Sequence, residues 1–249
     1  MTASRPDALV RPMSVALPAL DVVPIARTEI LLEQRPWPFA TAQRAAIDRH
    51  FVERQQGEPA LWNGRVLLLS RYTLDDGVLR GAAFETDFAS FLAWRDWDFP
   101  DPDVCNVFAA AALRGADGAF LLGEMAPHTA NAGRVYFPCG TPDPGDIVAG
   151  ELDLAGSLRR ELAEETGLAI GALAAEPGWK LVRDRGFLGV LKLLTARDDA
   201  AALRERILHH LAGEARPEFS DIHIVRAPAD LDARMPRFVV AYLEQAWRR

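Results

Sequence analysis

The sequence predicts an α/β fold with a mixed β-sheet, preceded by an N-terminal α+β extension. Short apolar segments flank turn sequences in the manner of hairpins, and they alternate with segments whose apolar residues recur at helical spacing. A stretch rich in proline and aspartate, residues 99–103, interrupts this pattern. We therefore expect an extension over residues 1–100 and a second domain over residues 101–249.

The composition excludes several classes of protein. The chain has 249 residues, of which 49% are hydrophobic, and this is enough to bury a sizeable core. Its 28 basic and 35 acidic residues give a net charge of −7, and without a basic run it is poorly suited to nucleic acid. No apolar run approaches the ~20 residues of a membrane helix. The two cysteines, Cys105 and Cys139, form no metal-binding pair and suit a reducing compartment, so we expect a cytoplasmic protein.

The extension contains two helix patterns and one hairpin pattern. Six prolines within residues 1–40 fix φ and remove N–H donors, so we expect an extended arm there rather than a regular element. Helices are expected from Ala42 to Arg54 and over 88–94. Strands are expected over 66–70 and 78–84, around the turn 75–77.

The second domain begins with a hairpin pattern around Ala116-Asp117-Gly118. Residues 138–151 contain glycines and prolines and are expected to be mostly loop. The helix Leu154–Thr166 ends at Gly167, which can adopt a positive φ at little cost. The remaining expected elements are strands over 104–113, 119–124, 135–137, 180–183, 187–195 and 222–227, and helices over 200–211 and 237–249.

Three glutamates share one face of the Leu154–Thr166 helix. At about 100° per residue, Glu161, Glu164 and Glu165 lie within about a third of the circumference, next to the stripe of Leu154, Leu158 and Leu162. Like charges at this spacing repel, and more strongly at the rim of a core. Arg160 can relieve Glu164 at i,i+4, and a divalent cation with oxygen ligands, Mg²⁺ first and Mn²⁺ as an alternative, would relieve the others. The alternative is a solvated acidic face.

The segment Arg160-Glu161-Leu162-Ala163-Glu164-Glu165-Thr166-Gly167-Leu168 resembles the signature of the Nudix hydrolase family. The resemblance implies a Nudix-type α/β/α sandwich that hydrolyses nucleoside diphosphates linked to another moiety X. It implies that Glu161, Glu164 and Glu165 are catalytic and hold the metal, that Arg160 orients a neighbouring acid, and that Gly140 offers its carbonyl to the metal.

The upstream half of the signature departs from the family pattern. Gly140 is followed after five residues by Asp146, where the family has glutamate, and 13 residues rather than seven separate Asp146 from Arg160. The chain therefore carries an insertion of six residues. Three acids, Asp146, Glu151 and Asp153, are alternatives for the partner of Arg160, and Asp153 also suits the N-cap of the helix.

Several further residues are candidates for the site. The family often adds an acid from a late loop, for which Glu218 and Asp221 are alternatives. Arg183 and Arg185 could bind phosphate, although solvated charges on a strand are the simpler interpretation. His128, in the loop 126–133, is a candidate substrate contact.

The expected function is Mg²⁺-dependent hydrolysis of a diphosphate linkage, with release of a nucleoside monophosphate. Stretches of the extension, such as Ala60-Leu61-Trp62-Asn63-Gly64-Arg65, and the segment 137–144 loosely resemble the Nudix branch that cleaves UDP-glucose and UDP-galactose. The expected partner is a small nucleotide, with no membrane or nucleic acid, and residues 1–100 would select the substrate or form a homodimer. The alternatives are a non-catalytic nucleotide-binding module and a metal-dependent isomerase on the same scaffold.

Overall fold

A computed structural model describes residues 20–58 and 60–248. These residues form six α-helices and thirteen β-strands, joined by loops and short 3₁₀ turns. The elements, in chain order, are β1 (Val22–Ile25), β2 (Arg27–Leu32), α1 (Pro38–Ala42), α2 (Arg44–Gly57), β3 (Arg65–Asp75), β4 (Val78–Asp87), α3 (Phe88–Asp96), β5 (Asn106–Arg114), β6 (Phe120–Met125), β7 (Val135–Tyr136), β8 (Ile147–Val148), β9 (Glu151–Leu152), α4 (Leu154–Thr166), β10 (Ala174–Ala175), β11 (Trp179–Asp184), β12 (Phe187–Thr195), α5 (Ala200–Gly213), β13 (Phe219–Val225) and α6 (Arg237–Trp247).

The larger sheet has eight strands and is mixed, as the sequence predicts. Its main order is β1-β11-β12-β5-β6-β13, with β10 beside β12 and β7 beside β6. The β12–β5 pair is parallel and the other pairs are antiparallel. Helix α4 packs on β5, α5 on β13 and β6, and α6 on β11 and β1. The central strand β5 is buried over almost its whole length, which explains its unbroken apolar sequence.

The smaller sheet has five strands in the order β3-β4-β2-β9-β8. The β2–β4 pair is parallel, whereas β3–β4, β2–β9 and β8–β9 are antiparallel. The predicted turn between β3 and β4 forms with a positive φ at both Asp76 and Gly77, which suits the twist of a hairpin. Mixed sheets with helices packed against them confirm the predicted α/β class.

The two halves of the chain exchange strands. β1 pairs with β11 in the larger sheet, although it belongs to the first hundred residues. The hairpin β8–β9 lies in the second domain by sequence and joins the smaller sheet through Leu31 and Glu151. Ile30, Leu67 and Leu79 are buried in the same apolar cluster as the centre of the larger sheet. The division at residue 100 remains a prediction, and the described parts of the two halves share one buried apolar cluster.

The prediction of an extended arm over residues 1–40 is wrong for the part of this range that the structure describes. Residues 1–19 lie outside the described residues, but β1, β2 and α1 follow from Val22 onward. Pro24 is tolerated in β1 because this strand is at the edge of the sheet, where a missing N–H breaks no ladder. Pro38 is the first residue of α1, where its N–H would have no helical partner.

Three further expectations differ from the structure. The prediction that residues 138–151 are mostly loop is wrong at the C-terminal end of this range, where the insertion forms the hairpin β8–β9. β10 was not anticipated, since two alanines carry almost no strand signal. β13 begins at Phe219 rather than at Ile222, because an irregularity between Phe219 and Asp221 breaks the alternation on which the prediction rested. Within the described residues, no helix has the length and apolar character needed to cross a membrane.

Candidate active site

Helix α4 presents the three glutamates as its local sequence predicts. The Asp153 side chain accepts a hydrogen bond from the Gly156 N–H at 2.8 Å and caps the first turn. Gly167 ends the helix with φ 70°. Because Leu158 and Leu162 are buried, the adjoining face that carries Glu161 and Glu165 also turns inward, while Glu164 stays exposed. The acidic face therefore borders the core.

Glu165 is a buried carboxylate without a compensating partner. It is 3% exposed, and neither Oε1 nor Oε2 has a hydrogen-bond partner of ordinary geometry. Burial raises the pKa of Glu165 well above its usual range, and the charges of Glu161 and Glu218 raise it further, against a weaker effect of the Cys139 backbone. A buried carboxylate is ionised at neutral pH only if a positive charge comes close.

Glu161 lies between Arg160 and Gly140. Its Oε1 is 2.8 Å from Nη1 of Arg160, and a Cβ added to Gly140 would overlap its carboxylate. Burial raises the pKa of Glu161 to about 7, because repulsion from Glu218 and Glu164 adds to the burial and Arg160 offsets only part of it. A side chain at position 140 would therefore displace the Glu161 carboxylate from this position.

The structure selects Asp146 as the partner of Arg160. Nη2 of Arg160 donates to both oxygens of Asp146, at 3.0 and 3.2 Å, and the Asp146 side chain is 5% exposed. Arg160 also contacts Glu164 at 3.3 Å, the expected i,i+4 pair. The other two acids have different surroundings, since Asp153 caps α4 and Glu151 is exposed on β9.

The insertion explains how Asp146 reaches Arg160 across 13 intervening residues. Ile147 to Leu152 fold back on themselves as β8–β9, and the Asp153 N–H donates to the Asp146 carbonyl at 2.8 Å. The ends of the hairpin therefore meet at the start of α4. A positive φ at both Ala149 and Gly150 makes the tight turn.

Glu218 joins the acidic cluster, whereas Asp221 does not. The Glu218 carboxylate reaches solvent at the mouth of the cluster, yet the surrounding protein removes enough water to raise its pKa, and repulsion from Glu164 adds to this. Attraction to His128 and Arg160 acts in the opposite direction. Asp221 is paired with Arg204 of α5 at 2.6 Å.

The two arginines on the β11–β12 hairpin lie in other surroundings. Arg183 is stacked over Tyr72 at 5.9 Å from the ring centroid. Arg185 pairs with Asp98 at 2.7 Å and lies over Phe99. Neither contacts the glutamates of α4 within the described part of the chain, so the structure does not bring these arginines to the acidic cluster.

Sequence reasoning missed Cys139 as part of the site wall. Its pKa is raised well above the usual range, first by burial and then by the charges of Glu165 and Glu161, so the thiol stays neutral beside them. The residue forms an isolated bridge with Ala110 of β5. The sequence signal that could have placed Cys139 at the site is its position directly before Gly140. A neutral thiol adds no charge to the cluster.

The side chains present suit a hard divalent cation. Carboxylate oxygens are the ligands that Mg²⁺ prefers, and the unpartnered oxygens of Glu165 have no other source of compensation. Across residues 20–58 and 60–248, no three acidic, histidine or cysteine side chains are already gathered in a metal-ligating arrangement. The ligand set Glu161, Glu164, Glu165 and Gly140 therefore remains a prediction, and binding would require their rotamers to converge.

Comparison with known families decides the assignment. The family model described as NUDIX domain matches residues 106–233, which is slightly more than half of the chain. The chain belongs to the NUDIX domain family. Membership implies metal-dependent hydrolysis of a pyrophosphate linkage in a nucleoside diphosphate derivative, so this Nudix chain is a pyrophosphohydrolase that acts on small nucleotide substrates.

Solved structures similar to this chain include several Nudix proteins. One is the Nudix hydrolase RenU from M. smegmatis, 17% identical, with a TM-score of 0.37, covering 57% of this chain and 84% of that one. Another is the MutT protein from Methanosarcina mazei Go1, 18% identical, with a TM-score of 0.38, covering 57% and 92%. A third is a bifunctional NMN adenylyltransferase/ADP ribose pyrophosphatase from Francisella tularensis, 14% identical, with a TM-score of 0.39, covering 58% and 41%. A search of curated proteins gave no match.

Proposed function

We propose that this Nudix protein uses Mg²⁺ to hydrolyse the diphosphate linkage of a nucleoside diphosphate derivative, such as a nucleotide sugar, and releases a nucleoside monophosphate. The observation that carries the proposal is the buried, unpartnered carboxylate of Glu165, with Glu161 beside it. The pKa values of Glu161 and Glu165 are both raised, so the ionised cluster is electrostatically unfavourable until a cation binds. The weaker resemblance to the UDP-sugar branch makes UDP-glucose and UDP-galactose candidate substrates within this proposal.

The reaction needs little covalent chemistry from the protein. The oxygen of a water forms a bond to one phosphorus, the bridging P–O bond breaks, and two phosphate-bearing products form with the release of one proton. When bound, Mg²⁺ neutralises charge on the phosphates and makes the water more nucleophilic. Glu161 and Glu165 would hold the ion, and Glu164, whose side chain is 61% exposed, would carry the released proton to solvent.

Arg160 has a positioning role in this account. It bridges Asp146, Glu161 and Glu164, and so fixes where their oxygens lie. These three acids raise the pKa of Arg160 although burial opposes them, so the guanidinium keeps its charge at every accessible pH. Without it, three carboxylates at the start of the cluster would repel one another.

A substrate panel tests the proposal. Nucleotide sugars, dinucleotides and coenzyme A would be incubated with the protein and Mg²⁺, with Mn²⁺, or with EDTA, and the products identified by mass spectrometry. We expect a nucleoside monophosphate together with the second phosphorylated product, formed only with a metal. Reaction in H₂¹⁸O would place one labelled oxygen in one of the two products. Binding without turnover would instead indicate a non-catalytic module, and an isomerised product without phosphate release would indicate an isomerase.

A further inference from the structure

Tyr136 is a buried residue whose hydroxyl proton has no acceptor. It ends β7 and is 7% exposed, and its Oη accepts a hydrogen bond from Nδ2 of Asn131 at 3.1 Å. A phenol hydroxyl also donates one hydrogen bond, and buried donors normally have an acceptor. Within residues 20–58 and 60–248, no oxygen or nitrogen accepts the proton of Tyr136. The hydroxyl is therefore available to donate to a ligand.

The direction of the Asn131 amide is fixed by Arg95 of α3. Nη1 of Arg95 donates to Oδ1 of Asn131 at 3.1 Å, and Nε of Arg95 donates to Asp96 at 3.1 Å. A guanidinium has only donors, so it binds the amide at its oxygen, and the amide nitrogen then faces Tyr136. Because Oη of Tyr136 accepts from that nitrogen, the hydroxyl proton has to point away from Asn131. The extension thus sets the direction of a hydroxyl in the NUDIX domain.

Tyr136 faces the side of the larger sheet opposite to α6. The next residue, Phe137, packs its ring 5.6 Å from the ring of Tyr242 on α6, and successive side chains of an extended segment point to opposite faces. Four residues after Tyr136, the backbone of Gly140 meets the Glu161 carboxylate. One short segment therefore carries both the free hydroxyl and the backbone wall of the glutamate cluster.

The surroundings of Tyr136 favour a neutral donor. Burial raises the pKa of Tyr136 well above its usual range. The neighbouring groups that raise it further are Cys139, Glu165 and Glu218, and the hydrogen bond from Asn131 acts against them. Neither oxygen of Glu165 has a hydrogen-bond partner, so the Tyr136 hydroxyl does not donate to that carboxylate. The donor keeps its proton at neutral pH and is not used by the glutamates.

We propose that Tyr136 contacts the substrate by donating a hydrogen bond to a phosphate oxygen of the bound diphosphate, and that Asn131 is the positioning residue that directs this hydroxyl. The inference rests on the proposed function, because it places a diphosphate and its metal ion at Glu161 and Glu165. A neutral donor suits this place, since it can bind an anionic oxygen without forming an ion pair with the nearby carboxylates. The hydroxyl binds the ligand and not the ion, so the two contributions can be measured separately.

Two substitutions remove the donated proton in different ways. Tyr136→Phe keeps the ring and removes the hydroxyl. Asn131→Asp keeps the acceptor for Arg95 but offers the hydroxyl an oxygen in place of the amide nitrogen, so the hydroxyl turns away from the ligand to donate to it. The matched controls are Tyr72→Phe, which removes a hydroxyl on β3, and Ala132→Asp, which adds the same charge at an exposed position of the same loop.

The probe is methylenediphosphonate, a diphosphate analogue whose P–C–P bridge cannot be hydrolysed, and its dissociation constant would be measured calorimetrically with Mg²⁺. Binding of Mn²⁺ alone and the unfolding midpoint would be measured for the same variants. Tyr136→Phe and Asn131→Asp should each weaken binding of the probe by about 10-fold, and the double variant by no more than either, because all three lose one hydrogen bond to a charged oxygen. Affinity for Mn²⁺ alone should change by less than about twofold, since the hydroxyl does not bind the ion, and both controls should bind the probe like the unsubstituted protein.

Probe binding that Tyr136→Phe leaves unchanged would overturn the contact. A parallel loss of Mn²⁺ binding would also overturn it, because the hydroxyl would then act on the metal ligands, and a further loss in the double variant would overturn the role of Asn131. Probe binding with the expected losses, but without hydrolysis of any compound in the substrate panel, would count against the proposed function alone. Failure of the unsubstituted protein to bind the probe with Mg²⁺ would overturn both.

Discussion

At the scale of single residues, two buried carboxylates of the site have opposite surroundings. Asp146 is held by two hydrogen bonds from Arg160, whereas Glu165 has no partner at either oxygen. The first arrangement fixes a charged pair in one geometry, and the second leaves a buried carboxylate without a compensating charge. Helix α4 therefore carries Arg160, which holds a buried acid in place, and about one turn later Glu165, whose carboxylate has no partner.

Asp146→Asn tests the structural half of this contrast. The amide keeps the shape but removes the charge that Arg160 faces, so Arg160 should turn fully to Glu161 and Glu164. We expect the free energy of unfolding to fall by about 1–3 kcal/mol and turnover to fall with it. Denaturant unfolding and steady-state kinetics would measure both. Glu151→Gln, on the exposed part of the hairpin, is the matched control and should change neither; equal loss in both variants would contradict the assignment of Asp146.

Gly140→Ala tests the approach of the backbone to Glu161. Because a Cβ would overlap the Glu161 carboxylate, the side chain has to move away from its position beside Arg160. We expect the rate to fall by about 10-fold or more, as for misplaced metal ligands, with little change in the unfolding midpoint. Unchanged kinetics would mean that Glu161 does not act from this position.

At the scale of elements, the six-residue insertion is a hairpin that connects the extension to α4. β9 pairs with β2 through Leu31 and Glu151, and the ends of the hairpin meet at Asp146 and Asp153. Any loosening of this turn should therefore reach both the partner of Arg160 and the N-cap of α4. The extension is therefore connected to the start of α4 through these strands.

Gly150→Ala should loosen the hairpin. Gly150 has φ 86°, which costs a residue with a side chain about 1–2 kcal/mol, although its surroundings leave open space for a Cβ. Gly171→Ala, also in open space but without a positive φ, is the matched control. Denaturant unfolding should show a loss only for Gly150→Ala. Equal stabilities would mean that the turn is not under this constraint.

Asp87, the N-cap of α3, should make the free energy of unfolding depend on pH in the acid range. Burial raises the pKa of Asp87, but hydrogen bonds from Ser90 and Arg44 outweigh it and leave the pKa lowered. A carboxylate with a lowered folded pKa stabilises the fold above its unfolded pKa of ~3.9, and this contribution disappears as the pH falls through the folded value. Asp87→Asn should thus be less stable by about 1 kcal/mol at pH 7, and the difference should disappear as the pH falls through the folded pKa of Asp87. A constant difference from pH 7 to pH 2 would contradict the interpretation.

At the scale of the whole molecule, local patterns were predictable and long-range pairings were not. The helix α4, its cap Asp153 and its stop Gly167 follow from adjacent residues, and all three are confirmed. The choice of Asp146 over Glu151 depended on how the inserted residues fold, and strands of two residues carry no readable period. β1 escaped prediction because its partner β11 lies more than 150 residues away and its proline is acceptable only at an edge.

The central claim is that the carboxylate of Glu165 serves a metal-dependent hydrolysis and not the fold. Glu165→Gln keeps the shape and removes a group whose ionised form is disfavoured by burial, so the unfolding midpoint without metal should stay equal or rise. Mg²⁺-dependent release of nucleoside monophosphate should fall by about 100-fold or more. Glu205→Gln, an exposed glutamate on α5, is the matched control and should keep full activity. Turnover by Glu165→Gln at the rate of the unsubstituted protein would contradict the account.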